Sequence, residues 1–456
     1  MIPTARRRAR ASFDERGVAL VLTLLVLLVL GGLLAAYLGV STLEPQISRN
    51  LADASRARHL AEAGIERGFN VLVATTDAAG GWSDLLAGAT TARPWVALPG
   101  LTNAAIGAAG AGTFSVSIRN DNGAADTPLT GLSATTRPVM DTSPTADDNK
   151  TVIVRSIGTF NGVTKTVEVV VQRAALPPLA GAINIPGPSP TTVVDAAALD
   201  IDGRDYGCAG GTSCDAPSSW AVTSNPLKYG IAVRPGAQGP IESALASPAA
   251  HEAIKGRSRT DPAGSYTTGR DAVAADASLT PARIDEFVGA LASNPATSVL
   301  QSTPACPLVV TGGASATTNT PTLGNGCGMN AAVNLGSRHE PRLVFVRGDL
   351  TLDRGLKGAG ILVVQDGGLT TSGDLEWDGL VIVAGRGSSM TFASAGRTAI
   401  RGATIASESG SRAAGGTVEF AVGGAPGSLS IRASAQNVAM AQGMRALHSI
   451  TNWRES

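Results

Sequence analysis

Residues 18–40 read VALVLTLLVLLVLGGLLAAYLGV and hold no charged side chain. Twenty-three residues at 1.5 Å rise make a helix of roughly 35 Å, enough to cross a hydrocarbon core of about 30 Å. Ahead of the run, Arg6, Arg7, Arg8, Arg10 and Arg16 outweigh Asp14 and Glu15. Flanking arginines favour the cytoplasmic side, so the bulk of the chain is expected outside the cytoplasm. A cleaved secretory signal has an apolar stretch of only ~7–15 residues followed by a small-residue cleavage site. This run is longer and no such site follows it. The expectation is a single-pass protein of the bacterial inner membrane with a periplasmic bulk.

The helical pattern continues past the membrane. Leu43, Ile47, Leu51, Ala54, Ala57, Ala61, Ile65, Phe69 and Leu72 recur every three or four residues, with charged side chains between them. That spacing marks one apolar face of an amphipathic helix, here residues 41–74. Pro45 removes one backbone donor and is expected to bend the helix. The apolar face needs a cover, either the chain's own sheet or neighbouring copies of similar helices.

Arg16-Gly17 followed directly by this apolar run resembles the leader of type IV prepilins, which prepilin peptidase cuts after the glycine. The start Gly17-Val18-Ala19-Leu20, the Thr42-Leu43-Glu44 segment and Ala61-Glu62-Ala63 resemble the PilX-type minor pilins. The closing SITNWRE, residues 449–455, resembles the ending of large members. The resemblance implies a leader of residues 1–17 and cleavage between Gly17 and Val18. The mature chain would then hold 439 residues (456 − 17), large for a pilin. It also implies other pilin subunits as partners and a later place on a pilus or the cell surface. Major pilins carry glutamate as the fifth mature residue, where this chain has Leu22. A carboxylate inside the membrane is costly unless paired. Without it the subunit cannot offer that group to a neighbour's amine, which suits a minor or tip component.

Beyond the helix, residues 113–119, 151–157 and 163–173 read as strands, the last two around Asn161-Gly162, a two-residue hairpin turn. The expected class is α+β: a long helix on a small antiparallel sheet within residues 75–175, a proline-rich linker at 176–190, then a β-rich domain over 191–456. Near-identical aliphatic tetrads at 343–346, 361–364 and 380–383 are 18 and 19 residues apart, with a weaker copy at 403–406 and another at 418–422. One short buried strand plus glycine turns per repeat is what a β-solenoid requires, with an antiparallel meander as the alternative. Residues 282–293 read as a helix capped by Thr280-Pro281. Residues 438–450 read as a helix closing the stack.

Four cysteines, Cys208, Cys214, Cys306 and Cys327, suit disulfides in an exported chain, with three possible pairings. Zinc competes poorly, because no Cys-x-x-Cys spacing or nearby histidine is present. Asp121, Asp126, Asp141, Asp147 and Asp148 offer oxygens to calcium, yet lack a calcium-loop spacing and read as solvated loop carboxylates. Asp353, Asp366, Asp374, Glu376 and Asp378 lie near the solenoid turns, where a carboxylate pair would serve glycoside hydrolysis. Turn aspartates are more often backbone caps, and no metal, nucleophile or phosphate motif accompanies them. Lys+Arg and Asp+Glu balance at 36 each, which gives no reason to seek nucleic acid. The expectation is a minor pilus subunit with no enzyme activity and no cofactor. A membrane-anchored adhesin for a surface polysaccharide or protein, and a polysaccharide-active enzyme, are the alternatives.

Overall fold

The computed structural model describes residues 15–75, 80–107, 112–132, 139–187, 191–194, 199–209, 214, 217–245, 247–295, 297–313, 317–392, 396–408, 419–422 and 429–455. Residues 1–14 of the expected leader, the prolines at 188 and 190, and position 418 lie outside them.

One helix, Glu15–Ala74, carries both the apolar run and the amphipathic stretch, with Pro45 inside it. Its last five turns lie across an antiparallel sheet of strands Thr113–Asn120, Thr151–Phe160 and Val163–Arg173. Small residues set how closely they meet. Ala57 and Ala61 are fully buried, and a Cβ on Gly158 would stand 2.1 Å from the Ala57 carbonyl oxygen. Gly64 and Gly68 meet Ser156, Phe114 and Val116 in the same way. Ile65, Phe69 and Leu72 then fill the core with Val116, Val154 and Val169. The hairpin turn has Asn161 at φ 47° and Gly162 at φ 80°. Both central residues are left-handed, as a type I′ turn demands. The chain between the helix and the first of these strands also packs: Trp82, Leu86, Leu98 and Leu101 are buried in this core.

Most strands in the rest of the chain are parallel and stacked in register, on three faces, with antiparallel pairs at Leu308–Thr311 with Thr322–Asn325, Ile254–Arg257 with Tyr266–Thr268, and Tyr206–Cys208 with Trp220–Val222. Residues 343–347, 361–365, 380–384 and 403–406 make one face, the tetrads lying side by side. Residues 356–359, 375–378, 398–401 and Leu429–Ala433 make a second. Strands Leu350–Leu352, Gly368–Thr371, Ser389–Phe392 and Glu419–Val422 make a third. The tetrads are continuous rather than alternating because both sides of their face are covered. Val344, Val346, Leu362, Val364, Val381 and Val383 point into the stack. Phe345, Ile361, Val363, Leu380 and Ile382 meet helix Pro281–Ser293 through Ile284, Phe287, Val288 and Leu291. Thr280 is that helix's N-cap by position, but its side chain makes no capping bond.

Between the second face and the tetrads the chain turns sharply at Gly360, Gly379 and Gly402, with φ of 120°, 136° and 151°. A Cβ on Gly379 would stand 2.0 Å from the Gly360 oxygen, and one on Gly402 1.9 Å from the Gly379 oxygen. Only glycine fits this corner.

Three expectations are corrected. Residues 176–190 are not only a linker: strand Gly181–Ile185 is buried and pairs in parallel with Thr404 and Ile405, so it is the next rung of the tetrad face. The copy near 418–422 does not extend the tetrads, because Glu419–Val422 lies on the third face beside Thr191–Val194. The tail is a helix only over Ala435–Gln442. It then becomes strand His448–Glu455, which pairs antiparallel with Val163–Arg173 and so belongs to the first sheet. Gly158→Val is predicted to destabilise the helix-bearing sheet by about 1–3 kcal/mol through overpacking. Thermal unfolding of the detergent-purified chain would read this as a lower first transition, with Thr164→Val, at an exposed strand position, as a comparison outside the contact.

Candidate functional site

The helix is covered only over about its last third. From Val18 to Leu51 its large apolar side chains stand free, Val18 at 67%, Leu22 at 61% and Leu28 at 71% of full exposure. This is a helix long and apolar enough to cross a membrane. The chain supplies no cover for it, since the sheet begins to bury the helix only near Ala57. Within the segment Thr23 donates its hydroxyl to the Leu20 carbonyl at 2.9 Å, so its polar group is satisfied inside the helix. Glu44 is exposed at the start of the amphipathic part. Ala61 faces the sheet, Ala63 is half-buried, and Glu62 points outward between Arg58 at 3.0 Å and His59 at 3.2 Å. The Ala-Glu-Ala motif is therefore a packing residue beside a solvent-facing carboxylate.

Of the five loop aspartates expected in solvent, only Asp148 is exposed. Asp121, Asp126, Asp141 and Asp147 are buried. Asp126 pairs with Arg119. Asp147 accepts the Trp82 amide at 2.9 Å and the Thr151 amide at 3.0 Å, closing the loop onto the sheet. Burial pushes Asp147 up to about 7 and Asp121 up to about 6, and Asp141 also upward. Asn149 donates to Asp121 at 2.9 Å, and the Asp148 amide donates to Asp141 at 3.1 Å. Among the described residues no three His, Cys, Asp or Glu side chains are grouped to hold a metal ion.

The turn carboxylates are engaged from rung to rung. Asp349 accepts the Gly368 amide at 2.8 Å, Asp366 that of Arg386 at 3.0 Å, and Asp374 that of Arg397 at 2.7 Å. Asp353 lies 3.4 Å from the Ser372 hydroxyl. Glu376 and Asp378 both face Arg401, at 3.2 and 2.6 Å. Arg401 is itself buried, with Trp220 across its guanidinium at 4.9 Å and Arg338 on the same ring at 4.7 Å. Asn437 of the C-terminal helix donates to the Arg401 carbonyl at 2.8 Å and fastens that helix to the second face. Sequence reading missed Arg401 and the glycine corners. The legible signal was the glycine placed immediately before each tetrad at 361, 380 and 403.

The cysteines pair as sequence neighbours, Cys208 with Cys214 and Cys306 with Cys327. The first lies beside Trp220, whose strand Trp220–Val222 pairs with Tyr206–Cys208 and whose indole donates to the Cys214 carbonyl at 3.1 Å. The second joins the loop before strand Leu308–Thr311 to the turn after Thr322–Asn325.

No protein-family model and no curated protein matches the chain. A solved structure, the crystal structure of competence-associated pilin ComZ from Thermus thermophilus, is similar at a TM-score of 0.22 and 12% identity, over 89% of this chain and 97% of that one. So low a score carries no argument.

Asp147 yields a pH test. Its folded pKa lies above the unfolded value, so the native state binds a proton that the unfolded chain releases between pH 4 and 7. Its contribution is present below the unfolded pKa and lost as pH rises through about 7. Asp147→Asn keeps the group neutral. Its unfolding free energy minus that of the parent is predicted to rise by up to about 4 kcal/mol between pH 4 and 8, the variant becoming relatively more stable. Denaturant titrations at both pH values would check this, and a pH-independent difference would contradict it.

Proposed function

We propose that the chain is a minor, pilin-like subunit, inserted in the membrane by residues 18–40 and built into a filament through that helix. The observation that carries the reading is the helix itself. Its last turns, from about Ala57, cover the chain's own sheet, and from Val18 to Leu51 its large apolar side chains are exposed. An exposed apolar surface of that length needs lipid or other helices. The Arg16-Gly17 junction and the GVAL, Thr-x-Glu and Ala-Glu-Ala segments support prepilin peptidase as the processing partner, as the resemblance to PilX-type minor pilins implies. Leu22 supports a minor or tip position, because no carboxylate stands where a neighbour's amine would seek one.

We read the in-register parallel rungs on three faces as a β-solenoid projecting from the helix-bearing sheet. The role proposed for it is structural or adhesive. Supporting a role without catalysis, Asp374 caps the next rung while Glu376 and Asp378 are both bound to Arg401. An adhesive role, toward a surface polysaccharide or protein, is the second reading. It is favoured by the size of the outer part relative to what anchoring requires.

The N-terminal mass of membrane-extracted protein, with and without a co-expressed prepilin peptidase, tests the proposal. The expected result is a new terminus at Val18 only when the peptidase is present. An intact leader under both conditions would leave an ordinary single-span protein and overturn the filament reading. Gly17→Leu is predicted to abolish cleavage while leaving membrane insertion unchanged.

A further inference from the structure

Strand His448–Glu455 ends its sheet. One side pairs with Val163–Arg173, and among the described residues no strand lies on the other. A free strand edge presents unpaired amides and carbonyls to any extended chain, and proteins commonly blunt it with charges, proline or a bulge. Blunting here is slight. Arg454 is drawn to Glu168 within the sheet, and Glu455 to Arg58 and Lys165. The bulge falls between Ile450 and Asn452, leaving residues 452–455 in regular register with 170–167. Ile450 and Trp453 stay apolar and exposed, at 40% and 55%.

The strand's first residues also line a cleft of about 710 Å³ between this sheet and helix Pro281–Ser293. Ser449, Ile450 and Pro177 stand on one side of it, and Phe287 with Arg283 and Glu286 on the other. Asn294, at the end of that helix, donates to the His448 carbonyl at 3.1 Å, so the cleft and the strand edge are continuous. An open edge leading into a cleft lined by Leu176, Ile450 and Phe287, with both acidic and basic side chains among its walls, fits an extended peptide.

The geometry points to strand His448–Glu455 as the docking edge for an extended segment of a different exported chain, added as a further strand with one apolar residue seated in the cleft. A second copy joined edge to edge does not fit. Arg445 meets Glu66 and Glu455 meets Arg58, so the strand runs opposite to the long helix. A two-fold contact between two such edges is antiparallel, and it would point the two membrane helices in opposite directions. Parallel pairing bonds the two strands unequally and cannot close a symmetric pair. The inference does not rest on leader processing, so its failure and that of the filament reading are separable.

A photo-reactive residue at Ile450, in the full chain in its own membrane, tests it. The expected result is an adduct to a chain other than this one, with the cross-link mapped to an extended segment. In the purified adduct, amides of 450–455 should exchange at least ~10-fold more slowly than in the chain alone. Thr451→Lys, a charge added at an exposed position of the edge, is expected to reduce the adduct about 10-fold. Adducts only to further copies of this chain, to lipid, or none, would overturn the inference, as would an adduct without slowed exchange.

Discussion

Backbone pairing between His448–Glu455 and Val163–Arg173 joins the end of the chain to the sheet that carries the long helix. Along the chain itself the two halves are linked by residues 174–180. Around this pairing sits a seam of mutually dependent groups. Arg173 donates to the Gly80 carbonyl and, at 3.0 Å, to that of Gln442, tying the sheet to the C-terminal helix. His448 lies against Phe69 and Trp82, and burial holds its imidazole down at about 4, so it packs as a neutral ring. Arg445 reaches Glu66 and Asn70 on the long helix. Each contact is worth little alone. Together they tie the outer part to the long helix.

The stack has an unusual order that follows from the same return of the chain. Its rungs do not run from first to last. Residues 181–202 enter in the middle, between the rung at 403–433 and the one at 229–257. Helix Pro281–Ser293 follows the outermost strand on one side, Val273–Ala275, and precedes Val299–Gln301 at the other end. It crosses the outside of the tetrad face and covers it. The last rungs therefore complete a core that the early rungs leave open. That places most contacts far apart in sequence, a property associated with slow folding.

The long helix, the three strands of the first sheet and the tetrad rungs were legible because each is written in local periodicity or a turn dipeptide. Asn161-Gly162 specifies its own hairpin, and the aliphatic tetrads announce strands buried on both sides. What escaped was set by distant partners. Gly181–Ile185 sits in proline-rich surroundings and becomes a strand because the 403–406 edge is waiting for it. Residues 448–455 carry no alternation of apolar and polar positions, yet pair along the free side of Val163–Arg173. The aspartates of 121–147 look like solvent-facing loop chemistry until Trp82 and Thr151 offer amides to bury one of them. The uncovered stretch of helix was legible throughout, since no other segment of the sequence is apolar enough to cover it.

The account turns on what covers that stretch. A photo-reactive residue at Leu27, in cells that process the chain, measures it directly. The account predicts adducts to the N-terminal helices of other filament subunits, and their disappearance when cleavage at Gly17 is blocked. Adducts to lipid alone, unchanged by processing, would show the helix to be a simple anchor and contradict it.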